Sequence, residues 1–256
     1  MLLTESTWPE IDAYLRRSTG VVIPTGSTEQ HGPIGLIGTD AICAEAVARG
    51  IAAQHDVLVG PTLALGVAQF NLGFAGTVSV RATTYMALVE DYVRSLARHG
   101  FTRFYFLNGH GGNIAPLRAL FQDLYASYSL TATAAPLRFR LRSWWEYPEA
   151  DRLRKALYGE GEGMHGTPSE VAITQHVVAQ SARLSAHGAP PRLSGEFMRE
   201  HAGDNHLDAG AHRAQFPDGR VGSDSALARP EDGARLLEAA STDAWHDYQM
   251  FLAEPL

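Results

Sequence analysis

Residues 26–32 read GSTEQHG and leave the apolar run VVIPT. A carboxylate and an imidazole two residues apart, between glycines, are residue types that ligate divalent ions. In an extended segment such residues point the same way, so Glu29 and His31 can face one point while Gln30 faces another. A second loop, NGHGGN at 108–113, carries His110 among glycines. Asp40, in GTDA, opens a helical stretch. There an aspartate either caps backbone N–H groups or turns its carboxylate back toward Glu29 and His31. Two carboxylates and two imidazoles at one place form a Zn²⁺ or Mn²⁺ site. A carboxylate that bridges two ions lets them share and deprotonate a water. Gly26, Gly32, Gly109, Gly111 and Gly112 let the backbone turn sharply beside a ligand.

A third stretch, GEGEGMHGTPSEVA at 159–172, holds His165 and, five residues on, Glu170 in the first turn of a helix. Plainer readings stand beside these: His110 and His165 as loop histidines, and Glu170 as a helix-start carboxylate favoured by the macrodipole. NGHGGN also reads as a phosphate-cradling nest, without the Lys and Ser/Thr of a P-loop. Ser27 lies outside a G-x-S-x-G elbow and Cys43 has no base beside it in sequence, so neither is read as a nucleophile.

The elements that must position these residues alternate. GVVIPTG (20–26), DVLVGPTLALG (56–66) and FTRFYFLNG (101–109) read as strands, and LTATAAPLRF (130–139) as a fourth. Helical periodicity covers 40–54, 83–100 with Gly100 as its stop, 113–128 with Asn113 as N-cap, and 230–253. A further helix starts near Pro168 and runs to Gln180. This alternation predicts an α/β fold with a mostly parallel sheet and helices on both faces, one domain over residues 1–256. Parallel sheets bind ligands at the carboxyl ends of their strands. The first and third of these strands deliver Glu29 and His110 to one edge. The stretch 181–230, rich in Gly, Pro, His and Arg, reads as loops over the sheet.

Composition narrows the function. The 256 residues carry 21 Lys+Arg against 28 Asp+Glu, a formal charge of −7 with no basic stretch, which argues against a nucleic-acid partner. One cysteine allows no intrachain disulfide. No signal peptide or membrane-length apolar run is visible. A cytoplasmic protein with neither membrane nor nucleic-acid partner is expected.

PTGSTEQHGPIGLIGTDA, NGHGGN, HGTPSEVA and GRVGSDSALARPEDG together resemble the creatininase (creatinine amidohydrolase) family over roughly residues 18–250. The resemblance implies a three-layer α/β/α fold, two divalent ions (Zn²⁺ and/or Mn²⁺) and a homohexamer. It implies hydrolysis of an amide C–N bond by a hydroxide held between the ions. Carried over by position, Glu29 and His110 bind one ion, His31 the other, and Asp40 bridges both. In creatinine hydrolases the loop reads His-aromatic-Glu, whereas Gly111 and Gly112 stand here. Glu170 is then the expected third ligand of the second ion, with Glu162 as the fallback. His165 is expected near the substrate as the proton carrier, with Glu170 as the alternative, and Trp144 and Trp145 as pocket walls. Asn71 stands near the place of a histidine usual in the family. The substrate is expected to be a small amide, cyclic or linear, ahead of a peptide. Family deformylases and a peptide-maturing amidase are alternatives, as is a non-catalytic metal- or nucleotide-binding domain.

Overall fold

A computed structural model describes residues 1–178, 188–206 and 208–256. Strands β1 (Gly20–Thr25), β2 (Arg103–Asn108) and β3 (Arg138–Ser143) form a parallel sheet in that order. Their register pairs Thr25 with Asn108 and Asn108 with Ser143, so all three strands end on one line. That line is the edge from which Glu29 and His110 emerge.

Period-two alternation distributes the core to both faces. Val21 and Ile23 of β1, with Phe104 and Phe106 of β2, pack with Tyr85, Val89 and Leu117. These belong to the layer of α1 (Trp8–Leu15), α3 (Ala82–Ala97) and α4 (Ile114–Ser129). Val22, Tyr105 and Leu107 point the other way, against Val47, Ile51, Leu153, Ile173, Leu236 and Phe251. This second layer is α2 (Thr39–Gln54), α5 (Pro148–Tyr158), α6 (Pro168–Val177) and α9 (Pro230–Ala253). The result is the expected three-layer α/β/α arrangement. With both faces covered, β1 and β2 have near-continuous apolar sequences.

Several boundaries differ from the sequence expectation. Residues 57–63 run alongside β1 without forming a continuous strand. Val22 pairs with Val59 and Thr25 with Leu63, so four steps on one side oppose three on the other. The extra residue falls at Gly60-Pro61, and Pro61 has no N–H to donate. The strand expected at 130–139 instead begins at Arg138. Leu130 and Thr131 still bond back into the end of α4, and Ala132 is left-handed with φ 54°. The period-two signal was RFRLRS: Phe139 and Leu141 join the core, while Arg140 meets Asp247 of α9 at 2.9 Å. Helix α5 was not foreseen, although Pro148 at its first turn is a start signal. Asn113 occupies the N-cap place of α4 but does not cap it. Its side chain donates to the Gly26 carbonyl (2.9 Å) and accepts from Val67 N (3.2 Å), tying three loops together at the strand ends.

The stretch read as loops contains α7 (Gly195–Glu200) and α8 (Ala209–Gln215) among its described residues. Residues 179–187 and 207, including the expected end of α6 and the start of that stretch, lie outside the described residues. Among the described residues no helix is long and apolar enough to cross a membrane.

Candidate metal centre

Loop 26–38 leaves β1 and folds back onto the start of α2. Ser27 Oγ donates to Glu29 Oε2 at 3.2 Å, fixing the buried carboxylate. His31 donates from Nδ1 to the Glu29 carbonyl (3.0 Å), which leaves Nε2 facing Asp40 Oδ1 at 2.8 Å and Glu170 Oε2 at 3.8 Å. Asp40 lies in the first turn of α2, but Gly38 is the N-cap and no side chain caps this helix. The N-cap reading of Asp40 is therefore replaced: its carboxylate turns back into the site.

His110 leaves β2 in the NGHGGN loop. Its Nε2 donates to the Val67 carbonyl (3.0 Å), so Nδ1 faces the site. Nδ1 stands 3.2 Å from Asp40 Oδ2, 3.4 Å from Glu29 Oε1 and 3.5 Å from Asp204 Oδ2. The phosphate-nest reading fails on its donors. Gly109 N binds the Thr25 carbonyl, His110 N binds Asn108 Oδ1, Gly112 N binds Asp204 and Asn113 N binds the His110 carbonyl.

The two oxygens of Glu170 point different ways. Oε1 accepts from Thr167 N in a capping box at the start of α6, and Oε2 faces His31. His165 donates from Nε2 to the Gln30 carbonyl (2.6 Å), leaving Nδ1 3.5 Å from Glu29 Oε1. Asn71, fully buried, accepts from Gln30 Nε2 at 2.8 Å and lies beside His165, where it helps to hold that loop.

Three compact ligand groups result: Glu29–Asp40–His110, His31–Asp40–Glu170 and Glu29–His31–His165. The first two share Asp40. Glu162 joins none of them among the described residues and instead lines the adjoining cavity. Trp144 and Trp145 line that cavity of about 310 Å³, edge to face at 6.0 Å.

The electrostatics call for a cation. Burial pushes the Glu29 carboxyl up to about 8, against the pull of His110. Burial likewise raises Glu170 to about 7, with His31 opposing. For His31, burial opposes charge, but Asp40, Glu170 and Glu29 outweigh it and raise the imidazole to about 10. His110 behaves alike: burial opposes charge, and Glu29, Asp40 and Asp204 raise it well above its ordinary value. Burial works against ionisation of Asp40 too, yet His31 and His110 hold it well below the carboxylate range. His165 is driven the other way, well below its ordinary value, by burial and by His31. Glu29 Oε1 and Asp40 Oδ2 are buried and accept no hydrogen bond. Each of the three imidazoles has one nitrogen bonded to a carbonyl, so the other meets carboxylate oxygens as lone pair against lone pair unless a proton or metal ion lies between. The 3.2 and 3.4 Å separations of His110 Nδ1 from Asp40 and Glu29 are close to the roughly 3.3–3.6 Å edge of a tetrahedron with ~2.0–2.2 Å metal bonds. The donor set fits a divalent ion such as Zn²⁺ or Mn²⁺.

Sequence reasoning missed Asp204 and Gln30. Asp204 comes from the aperiodic stretch between α7 and α8, where only the density of His, Asp and Gly in EHAGDNHLDAGAH marked anything unusual.

The creatininase family profile, described as creatinine amidohydrolase, matches residues 4–246. The chain belongs to the creatininase family. It is 38% identical over 198 residues to a mycofactocin precursor peptide peptidase of Mycobacterium ulcerans, covering 73% of this chain and 66% of that protein. It is 31% identical over 171 residues to a creatinine amidohydrolase of Pseudomonas putida, covering 61% and 62%. The chain thus spans just under two thirds of the length of these curated relatives. Its fold is like that of a solved creatininase in a Mn form, with a TM-score of 0.80 at 23% identity over 99% of both chains.

Proposed function

We propose that residues 1–256 form one metal-dependent amidohydrolase domain that cleaves an amide C–N bond. Glu29, Asp40 and His110 would hold one divalent ion, and His31, Asp40 and Glu170 a second, Zn²⁺ or Mn²⁺ at each. The observation that carries this reading is the pair of buried triads sharing Asp40. Ions held there supply an activated water near neutral pH and polarisation of the substrate carbonyl.

The chain's own residues do the rest. His165 moves the proton to the leaving nitrogen: it lines the cavity, burial keeps its imidazole neutral, and its Nδ1 lies 3.5 Å from Glu29 Oε1. The bond from Nε2 to the Gln30 carbonyl fixes the tautomer. Glu170 is unsuited to that task, since one oxygen caps α6 and the other faces His31. Trp144 and Trp145 wall the substrate from water.

The substrate order expected from sequence is reversed here. Greater identity to a peptidase than to a creatinine amidohydrolase supports a peptide amide first and creatinine second. A cytoplasmic setting belongs to the same reading, and the buried free Cys43 is compatible with it. A homohexamer also belongs to it, by family resemblance. The apolar stripe of α9 does not support assembly, because Leu236, Ala240 and Phe251 are buried within the chain.

The test is direct. Protein loaded with two equivalents of Zn²⁺ or Mn²⁺ is incubated with short peptides, creatinine and formamides, and hydrolysis is measured as new amine from the linear amides and as ring-opened product from creatinine. Hydrolysis of at least one of them, abolished in Asp40→Ala, is expected. A fully loaded protein that cleaves none of them contradicts the reading.

A further inference from the structure

Three carboxylates face His110 Nδ1, and one of them lies outside its ligand group. Asp40 Oδ2 and Glu29 Oε1 stand at 3.2 and 3.4 Å and form a compact triad with the imidazole. Asp204 Oδ2 stands at 3.5 Å but joins none of the triads. It reaches the centre from the turn that follows α7, and it is largely buried there.

Two features show that Asp204 is built into this place. Its backbone is left-handed, φ 57°, a conformation that costs a non-glycine residue energy and gathers at functional sites. A Cβ on Gly111 would lie 2.4 Å from Asp204 Oδ2, so the approach requires glycine there. The same oxygen accepts from Gly112 N at 2.9 Å. Met198, Ala202 and Gly203 of this segment line the cavity beside the centre. Asp204 therefore fastens one wall of that cavity to the metal-ligand loop. The segment's other anchors, Phe197 on Phe216 and His206 on Phe70, are ring contacts away from the ligands.

We propose that Asp204 couples the first ion of the centre to closure of the 195–206 segment, acting through its charge and not as a ligand. Without a cation, Asp204 enters a buried place that already faces Glu29 and Asp40, and His110 Nδ1 offers at most one proton to all three. Like charges at low effective dielectric oppose that approach. A divalent ion among Glu29, Asp40 and His110 reverses the sign. By linkage, the factor that a closed Asp204 adds to the affinity for the ion is the factor that the ion adds to closure. Asp204 is then a positioning residue whose partner is the ion. The inference rests on the two-ion reading of the centre, and its test measures no turnover.

Zn²⁺ is titrated against a competing chelator into metal-free protein, and amide hydrogen exchange over 195–206 is followed at pH 7 with and without Zn²⁺. Asp204→Asn keeps the shape and an acceptor for Gly112 N but removes the charge. Gly111→Ala keeps the charge and displaces it. Each should bind one of the two ions at least tenfold more weakly and the other within threefold. In the unaltered protein Zn²⁺ should slow exchange over 195–206 at least fivefold, and in both variants that slowing should vanish. Wild-type affinity for both ions in Asp204→Asn overturns the proposal, as do equal losses at both ions. Exchange over 195–206 that ignores Zn²⁺ in the unaltered protein overturns it without any variant. Should Asp204→Asn fail to fold by circular dichroism, Gly111→Ala decides alone. Coupling in a protein that cleaves no amide would sink the hydrolase reading and leave this one standing, whereas a protein that binds no Zn²⁺ would sink both.

Discussion

Asp40 Oδ1 lies 2.8 Å from His31 Nε2, both side chains buried and nine residues apart in the chain. The contact exists because loop 26–38 doubles back on the first turn of α2, where Gly38 rather than Asp40 takes the N-cap place. The second oxygen of Asp40 is thereby aimed at His110, on the neighbouring strand's loop. One carboxylate thus joins the two halves of the candidate centre.

Removing that carboxylate should disturb both halves, and removing His31 only one. Asp40→Ala is expected to bind neither ion tightly, and His31→Ala to retain one of two. Both should lose at least tenfold in turnover, or about 1.4 kcal/mol of barrier. Metal analysis after gel filtration reads the difference, with circular dichroism to verify the fold. Equal metal content in the two variants would speak against a shared ligand.

Glu170 allows its two tasks to be separated. A glutamine can still accept from Thr167 N but is a poor metal ligand, whereas alanine loses both functions. Glu170→Gln should keep its melting temperature in the metal-free state while metal occupancy falls to about one ion. Glu170→Ala should lose in addition a cap contribution of about 0.5–2 kcal/mol, seen as a drop of several degrees. If glutamine retains both ions, Glu170 is a capping residue only.

His165 should behave as a proton carrier rather than an essential ligand. His165→Gln is expected to keep two ions and substrate affinity while kcat falls about a hundredfold, within the range for general acid–base groups. An unchanged kcat would move that role elsewhere.

The legible part of the site followed from strand ends. Thr25 and Asn108 are register partners, so the residues just beyond them had to meet once the sheet was parallel. Local chain direction then made Glu29 and His31 a pair, and the helix start placed Asp40 and Glu170 nearby. Asp204 was illegible for the opposite reason. Its position is set by α7 and α8 packing through Phe197, Phe216, His206 and His212 onto Phe70, contacts that carry no periodic signal. The 57–63 segment misled because its apolar run is strand-like while Pro61 and one extra residue interrupt its pairing with β1.

That aromatic–histidine cluster carries a pH dependence. Burial pushes His206 and His212 down to about 4, with neighbouring histidines adding to the effect. In the unfolded chain both would titrate near ~6.5, so the unfolded state binds more protons between those values. Stability from the cluster is full above pH ~6.5 and is lost as pH falls toward 4. The segment that carries Asp204 should therefore loosen in mild acid, read as faster amide hydrogen exchange over 195–216 at pH 5 than at pH 7 after correction for intrinsic rates. Unchanged protection would contradict the assignment.

The central claim is that two ions share Asp40. Anomalous diffraction from crystals of the Zn²⁺-loaded protein tests it most directly. Two peaks are expected, one between Glu29, Asp40 and His110 and the other between His31, Asp40 and Glu170, each with one Asp40 oxygen at about 2.0–2.2 Å. A single peak, or two peaks of which one has no bond to Asp40, would contradict the account.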